Sequence, residues 1–472
     1  MLINFARKTK KKLFIVAIDF DGAFDRVNRL TLIKKLARFG AGTTFICCIA
    51  SMYQLTSNII QNNTSSTMYC VTAGIKQGLP LSPFLFLFYV DDIFDFFHAL
   101  YHSNLVLELI HILMHADDAT VLASNRCNIS AKLKSMLYYC KINFIKLQTG
   151  KCHFIVINGN DKDKESLHTE QGVIKNTESL TILGTPISQL GNFKLDVNLH
   201  FDLRFKNVIK YFNFLKSNKL APVSIKLKVL ETCVMSSLLY NCETFGEHIP
   251  KELEQYYMKM IKSALGVRSN TVNDIVLIET GMLSLKVLVY CRQLNFYRKL
   301  ITNLNDKEIK QSVYAKLLDK NLSYLNHYVK LNDTYENTHS IKSRFRDTLK
   351  RKIKHLCSTE DKYKYFIYNK MNPTLLKSNF VTDYETPGVE LVIRFRLGSH
   401  KLPIETGRWS RTQRNQRLCK TCGILGDEEH YIFHCPLIKR NDIINKVMKL
   451  EDIWNIKNIN LLFMRMKNAD LI

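Results

Sequence analysis

The chain has 472 residues, 46% of them hydrophobic, and carries 67 Lys and Arg against 42 Asp and Glu, a net charge of +25. It therefore reads as globular, with core enough for two to four domains of roughly 100–200 residues, and the charge favours a polyanionic partner, nucleic acid foremost. Thirteen scattered cysteines are too sparse for a small disulfide scaffold and point to a reducing compartment.

The first segment, Arg7 to Lys12, is basic, and no apolar signal-peptide core follows it. Leu13 to Asp19 reads as a β-strand, followed by a polar turn and a helical pattern from Arg29 to Phe39. After strand-like sequence near Met68 to Ala73 comes GIKQGLPLSP and one long aromatic helix. The apolar run Leu79 to Val90 contains Pro80 and Pro83 and stops at Asp91, well short of the roughly 20 residues that span a bilayer. No membrane segment is expected, and nucleus or cytoplasm is the expected location. ELIHILMHADDATVLA reads as two strands flanking a tight turn. A helix over Ala131 to Phe144, a strand over Cys152 to Ile157 and the hairpin-like ILGTPIS complete an α/β unit. Beyond it the pattern is helical, with apolar spacing over Leu199 to Leu215, Ser224 to Tyr240 and Glu252 to Leu265, until composition shifts near Pro387 from lysine to arginine.

Three carboxylates carry the chemistry. Asp19 closes a buried strand, where an apolar wall holds a side chain rigid and aimed outward. Asp117 and Asp118 occupy the tip of a hairpin, so that one of them can face Asp19 across neighbouring strands. Phosphoryl transfer by two Mg²⁺ ions about 3.5 to 4 Å apart needs such bridging oxygens. Taken singly, each segment has a plainer explanation: Asp-Asp is good turn chemistry, and Asp19 to Asp25 suits a helix cap. Their occurrence in order, with the glycine-containing segment between them, favours the metal site.

Asp19-x-x-x-Ala23-Phe24-Asp25 resembles motif A of the reverse transcriptases, Gly74 to Phe86 (GIKQGLPLSPFLF) resembles motif B, HADD stands as motif C, Leu147 to Lys151 resembles motif D, and Ile182 to Gly184 resembles motif E. The wording of motifs A and B is similar to the non-LTR (LINE-like) retrotransposon branch, and LLYNCETFG, Leu238 to Gly246, resembles the segment that follows its polymerase core. Tyr89-Val-Asp-Asp92 matches a retroviral motif C in wording, but it follows Gln77 too closely to leave room for the motif B helix and a separate strand. Asp91 and Asp92 are therefore read as the polar end of that helix.

The resemblance implies an α+β, palm-type core (an antiparallel sheet with packing helices) over 1–187, a helical thumb over 188–270, a helical connector over 271–390 and a basic, zinc-binding C-terminal region over 391–472. It implies RNA-directed DNA synthesis: catalytic Asp19, Asp117 and Asp118 on two Mg²⁺ ions, with Lys151 assisting the leaving pyrophosphate. It further implies Phe24 and Ala23 at the nucleotide sugar, and Gln77, Gly78, Leu183 and Gly184 against the template-primer. An aromatic ring at Phe24 would collide with a 2′-hydroxyl and so select dNTPs. RNA template, DNA primer or target and dNTPs are the implied partners. His115 departs from the usual Tyr of motif C. The chain opens shortly before Asp19, so the resemblance implies a truncated relative lacking an endonuclease and most of the fingers.

Cys419-x2-Cys422-x7-His430-x4-Cys435 offers the ligand types of a four-coordinate structural Zn²⁺ site, with His434 an alternative to His430. Upstream, Arg394, Arg396, Arg408, Arg411, Arg414, Arg417 and Trp409 suit phosphate contact and base stacking. Lys342 to His355 is a basic helix or a solvated face. Two rivals to the polymerase are an inactive element fragment that only binds RNA or DNA, and an RNA-dependent RNA polymerase. Phe24 and Ala116 disfavour the second.

Overall fold

A computed structural model describes residues 2–54, 56–61, 66–101, 110–189, 193–244, 248–303, 338–357, 362–382, 388–439, 449–455 and 459–472. They fall into two compact units, which divide between Leu199 and His200. Pro387, Phe245 and Gly246 lie outside the described residues.

The first unit is built on a six-stranded sheet of order β4-β5-β1-β6-β8-β7. Its strands are β1 (Leu13–Ile18), β4 (Ile112–His115), β5 (Asp118–Ala123), β6 (His153–Ile157), β7 (Leu167–Thr169) and β8 (Gly172–Asn176). The sheet is antiparallel except that β6 pairs parallel with β8. β1 is central, with Ile18 opposite Ala119 on β5 and Ala17 opposite His153 on β6.

The continuous apolar run of β1 follows from burial on both sides. Phe14, Val16 and Ile18 join the larger core, which is closed by α4 (Ser82–Val90) and α6 (Arg126–Ile142). Leu13 and Ile15 pack with Ala6 of α1 (Leu2–Thr9) on the opposite face. Two further ribbons, β2 (Ser57–Gln61) with β3 (Ser66–Cys70) and β9 (Ser179–Ile182) with β10 (Thr185–Ser188), complete the unit together with α3 (Thr43–Gln54) and the short α7 (Asp161–Lys164).

The aromatic helix expected after Pro83 ends where it was read to end, at Asp91 and Asp92: it is α4, and a second helix, α5 (Ile93–Leu100), follows this break. Lys35, buried on α2 (Arg29–Arg38), reaches Asp92 Oδ1 at 2.7 Å, and the Tyr139 hydroxyl of α6 donates to the same oxygen. A carboxylate held by a buried ammonium and a phenol is a structural anchor, and it fixes the break.

The second unit is helical. α8 (Phe193–Ser217) enters it from the first, and the expected helix over Ser224 to Tyr240 is α9 (Val223–Val229), a π-helical turn over Leu230–Met235 and a last turn of three residues, α10 (Ser236–Leu238). α11 (Lys251–Ala264), α12 (Asn273–Thr280) and α13 (Leu285–Asn303) follow. The basic stretch near Lys342 is helix α14 (Thr338–Cys357), which buries Ile341, Leu349 and Ile353 and leaves Arg344, Arg346, Arg351 and Lys354 exposed. α15 (Tyr363–Met371), α16 (Val389–Arg396), α17 (Pro403–Trp409), α18 (Glu428–Phe433) and α19 (Ile459–Asn468) close the chain. A second apolar core joins residues of all five to Cys419 and Cys435. Among the described residues no helix is long and apolar enough to cross a membrane.

Candidate active site and metal centre

Asp19 is the first residue past β1, half-buried, and its backbone is gripped from one side. Its carbonyl accepts from the Gln148 amide at 2.8 Å, its amide meets the buried Cys152 Sγ at 3.3 Å, and Phe20 bridges to Leu147. The motif D segment is thus fastened to the motif A strand. Lys151 stands in the turn that follows, with its ammonium 3.6 Å from Asp19 Oδ2.

Across the sheet, His115 and Asp118 are the last pair of the β4–β5 ladder, and Ala116 and Asp117 form the two-residue turn. Ala116 has φ 53°, a left-handed conformation that costs a residue with a Cβ about 1 kcal/mol. The turn leaves Asp117 and Asp118 exposed. Burial, then the charges of Asp117 and Asp19, push the Asp118 carboxyl above its ordinary range, and His115 opposes the rise. Three carboxylates from two strand ends therefore feel one another, and Asp19 Oδ2 is buried with no hydrogen-bond partner. Mutually repelling hard oxygens suit divalent cations such as Mg²⁺.

Around this cluster, Phe24 is half-buried and packs on Phe86 of α4, ring centroids 5.1 Å apart, while Ala23 lies in the core. Gln77 and Gly78 are exposed on the loop before α4, and the Gln77 amide donates to the Asp25 carboxylate. Leu183 and Gly184 form the β9–β10 turn, both at positive φ. The contact between Asp25 and Gln77, and that between Cys152 and Asp19, were missed in the sequence because each joins segments far apart in the chain and neither residue type signals its partner.

In the second unit, Cys419, Cys422, His430 and Cys435 bring their ligand atoms within 4.8 Å of one another. The sulfurs of Cys419 and Cys422 lie 3.8 and 4.0 Å from Cys435 Sγ. Tetrahedral thiolates about 2.3 Å from zinc are separated by about 3.8 Å. His430 is buried with neither ring nitrogen hydrogen-bonded, a cost that a metal bond would remove. The Asp427 side chain caps α18 by accepting from the His430 amide, which orients that ligand. His434 is exposed past the helix end and stands outside the cluster. The residues fit zinc, with His430 as the nitrogen ligand.

The arginine-rich stretch divides. Arg396 is buried, pairing with Glu279 at 2.8 Å, and Arg417 spends its guanidinium on the carbonyls of Thr412 and Ile404. Those two hold the fold, a correction to the expectation that all six face phosphate. Arg411 and Arg414 are exposed, and Trp409 is exposed beneath the Arg268 guanidinium at 3.6 Å.

The reverse transcriptase (RNA-dependent DNA polymerase) family matches residues 2–187, the whole of the segment that carries the carboxylate cluster; that segment is a reverse transcriptase domain with the palm-type fold of its family. Its relatives include Pol polyproteins of retrotransposable elements. The chain is 24% identical over 165 residues to the retrovirus-related Pol polyprotein of the type-2 retrotransposable element R2DM of Drosophila melanogaster, covering 35% of this chain and 16% of that one. It is 26% identical over 153 residues to the Pol polyprotein of the type-1 element R2 of Popillia japonica, covering 32% and 22%. The match thus spans less than a quarter of the length of either relative. A solved telomerase from Candida albicans is 14% identical with a TM-score of 0.32, covering 76% of this chain and 52% of that one, a likeness too slight to add to the assignment.

Proposed function

We propose that this chain is an RNA-directed DNA polymerase of a non-LTR retrotransposon, which joins dNTPs to a primer 3′-hydroxyl on an RNA template. The observation that supports it most is the strand register, in which Ile18, just before Asp19, lies opposite Ala119, and His115 lies opposite Asp118 across the turn that holds Asp117. Two Mg²⁺ ions held there would activate the primer hydroxyl and stabilise the departing pyrophosphate.

In this reading the three aspartates hold the metals. Lys151, already beside Asp19, supplies charge or a proton to the leaving group. Phe24, over the buried Ala23, excludes a 2′-hydroxyl and makes the product DNA. Gln77 and Gly78 meet the template-primer from the loop before α4, and Leu183 and Gly184 meet it from the β9–β10 turn. Residues 188–270 serve as thumb, 271–390 as connector and 391–472 as a basic module closed by Zn²⁺ on Cys419, Cys422, His430 and Cys435. RNA template, DNA primer and dNTPs are the partners, in nucleus or cytoplasm.

The test is primer extension by the purified chain on poly(rA)/oligo(dT) with Mg²⁺ and dTTP. Extension with dTTP in strong preference to UTP is the expected result. RNA binding without extension would reduce the function to binding, and preference for UTP would make the protein an RNA polymerase.

A further inference from the structure

Asp25 has no part in the chemistry described so far, yet its carboxylate is engaged. Gln77 Nε2 lies 3.1 Å from Asp25 Oδ1 and 3.2 Å from Oδ2. An ionised carboxylate only accepts hydrogen bonds, so it dictates which end of the amide it faces. The NH₂ of Gln77 turns to Asp25, and Oε1, which has no partner among the described residues, is the end presented outward.

The two loops are also locked by their backbones. The Ile75 amide donates to the Phe24 carbonyl at 2.9 Å, and the Gly74 amide donates to the Val27 carbonyl at 2.8 Å. Gly74 has φ +86°, and a Cβ built on it would sit 2.8 Å from the Asp25 carbonyl oxygen. The close approach that only glycine permits sets Asp25 beside Gln77 whatever their side chains do.

Resting on the polymerase reading, we infer that Asp25 is a positioning residue, which sets the Gln77 amide so that Oε1 is offered as a hydrogen-bond acceptor to the bound template-primer or nucleotide. The group that Gln77 meets is therefore a donor, a sugar hydroxyl or a base N–H. A phosphate oxygen only accepts, and the Asp25 charge beside it repels phosphate as well.

The test uses the full chain as wild type, Asp25→Asn, Gln77→Glu and the double variant. In Asp25→Asn the new amide donates as readily as it accepts, so Gln77 loses its set orientation. Gln77→Glu places a second carboxylate against that of Asp25. In the double variant the amide introduced at position 25 donates to one oxygen of the carboxylate introduced at position 77, and the other oxygen again faces outward as an acceptor.

Each single variant is expected to raise KM by about tenfold with kcat changed less than about threefold, and the double variant to return to within about threefold of wild type. All four proteins should share a Tm within about 3 °C, since the pair is solvent-exposed. Loss confined to poly(rA) and absent on poly(dA) assigns the donor to the template 2′-hydroxyl. Loss on both templates assigns it to a base or to the incoming nucleotide. Wild-type kinetics in Asp25→Asn, or a double variant no better than the worse single one, overturns the inference. If the wild-type chain itself extends no primer, the polymerase reading fails separately. The same four proteins are then compared by fluorescence anisotropy on the poly(rA)/oligo(dT) duplex with and without Mg²⁺ and dTTP, where weakening in the singles with recovery in the double under either condition supports the pairing and equal affinities under both overturn it.

Discussion

Asp19, Asp117 and Asp118 are gathered from distant parts of the chain by the register of β1 against β5, whereas Cys419, Cys422, His430 and Cys435 come from one short knuckle and the helix after it. The carboxylate cluster, half-buried at Asp19 and exposed at Asp117 and Asp118, is self-repelling, and the sheet beneath it is held by apolar cores on both faces. The cysteine cluster reaches into an apolar core, with Cys419 and Cys435 among its members. On the proposed reading, the first site is a passenger on a fold that stands without its ions, and the second is part of what closes its own fold. The difference predicts which metal matters for stability and which for turnover.

The largest effect belongs to the knuckle. Removing zinc with a strong chelator, or replacing Cys435 with Ala, is expected to cost the second unit several kcal/mol, given apparent binding energies of about 10–16 kcal/mol for structural zinc in small modules. Thermal unfolding with metal analysis checks this; an unchanged Tm on quantitative zinc loss would erase the contrast. Leaving Mg²⁺ out of the buffer while zinc content is held constant should leave Tm unchanged.

Next comes Gly74→Ala. The positive φ and the 2.8 Å approach to the Asp25 carbonyl put the cost at about 1–3 kcal/mol, read as a lowered urea midpoint. A wild-type midpoint would show that the two loops are not locked together.

The smallest effect sharpens the comparison from the carboxylate side. Asp118 has its carboxyl raised by burial first and then by Asp117 and Asp19. A raised carboxyl binds its proton more tightly folded than unfolded. Its favourable contribution is present below the ordinary carboxylate range, near pH 4, and is lost as pH climbs through the folded value. Asp118→Asn should remove that loss and stabilise the metal-free protein at neutral pH by less than about 1 kcal/mol, because the group is largely exposed. The gain should be absent in acid, and thermal unfolding across pH checks it.

The cluster of three aspartates was legible because each member sits at a strand end that local apolar patterning marks. The grouping of Cys419, Cys422, His430 and Cys435 was legible from spacing, although that His430 rather than His434 joins it needed the turn of α18 that buries one and exposes the other. What local pattern hid was decided by distant partners. Asp91 and Asp92 were legible as the end of α4, but the capture of Asp92 by Lys35 and Tyr139, from two other helices, was not. Arg396 reads as surface within a basic stretch, yet Glu279, 117 positions away, draws it inside. The short strands β7 and β8 carry too few alternating residues to stand out, and the parallel β6–β8 pairing has no local mark at all.

A carboxylate cluster that is catalytic and structurally dispensable can lose a member without loss of the fold. Primer extension by Asp117→Ala on poly(rA)/oligo(dT), beside the wild-type chain and at matched zinc content and Tm, tests it most directly. Incorporation should fall on the order of a thousandfold or more with zinc and stability unchanged. Extension retained in Asp117→Ala would contradict the assignment of this cluster as the active site.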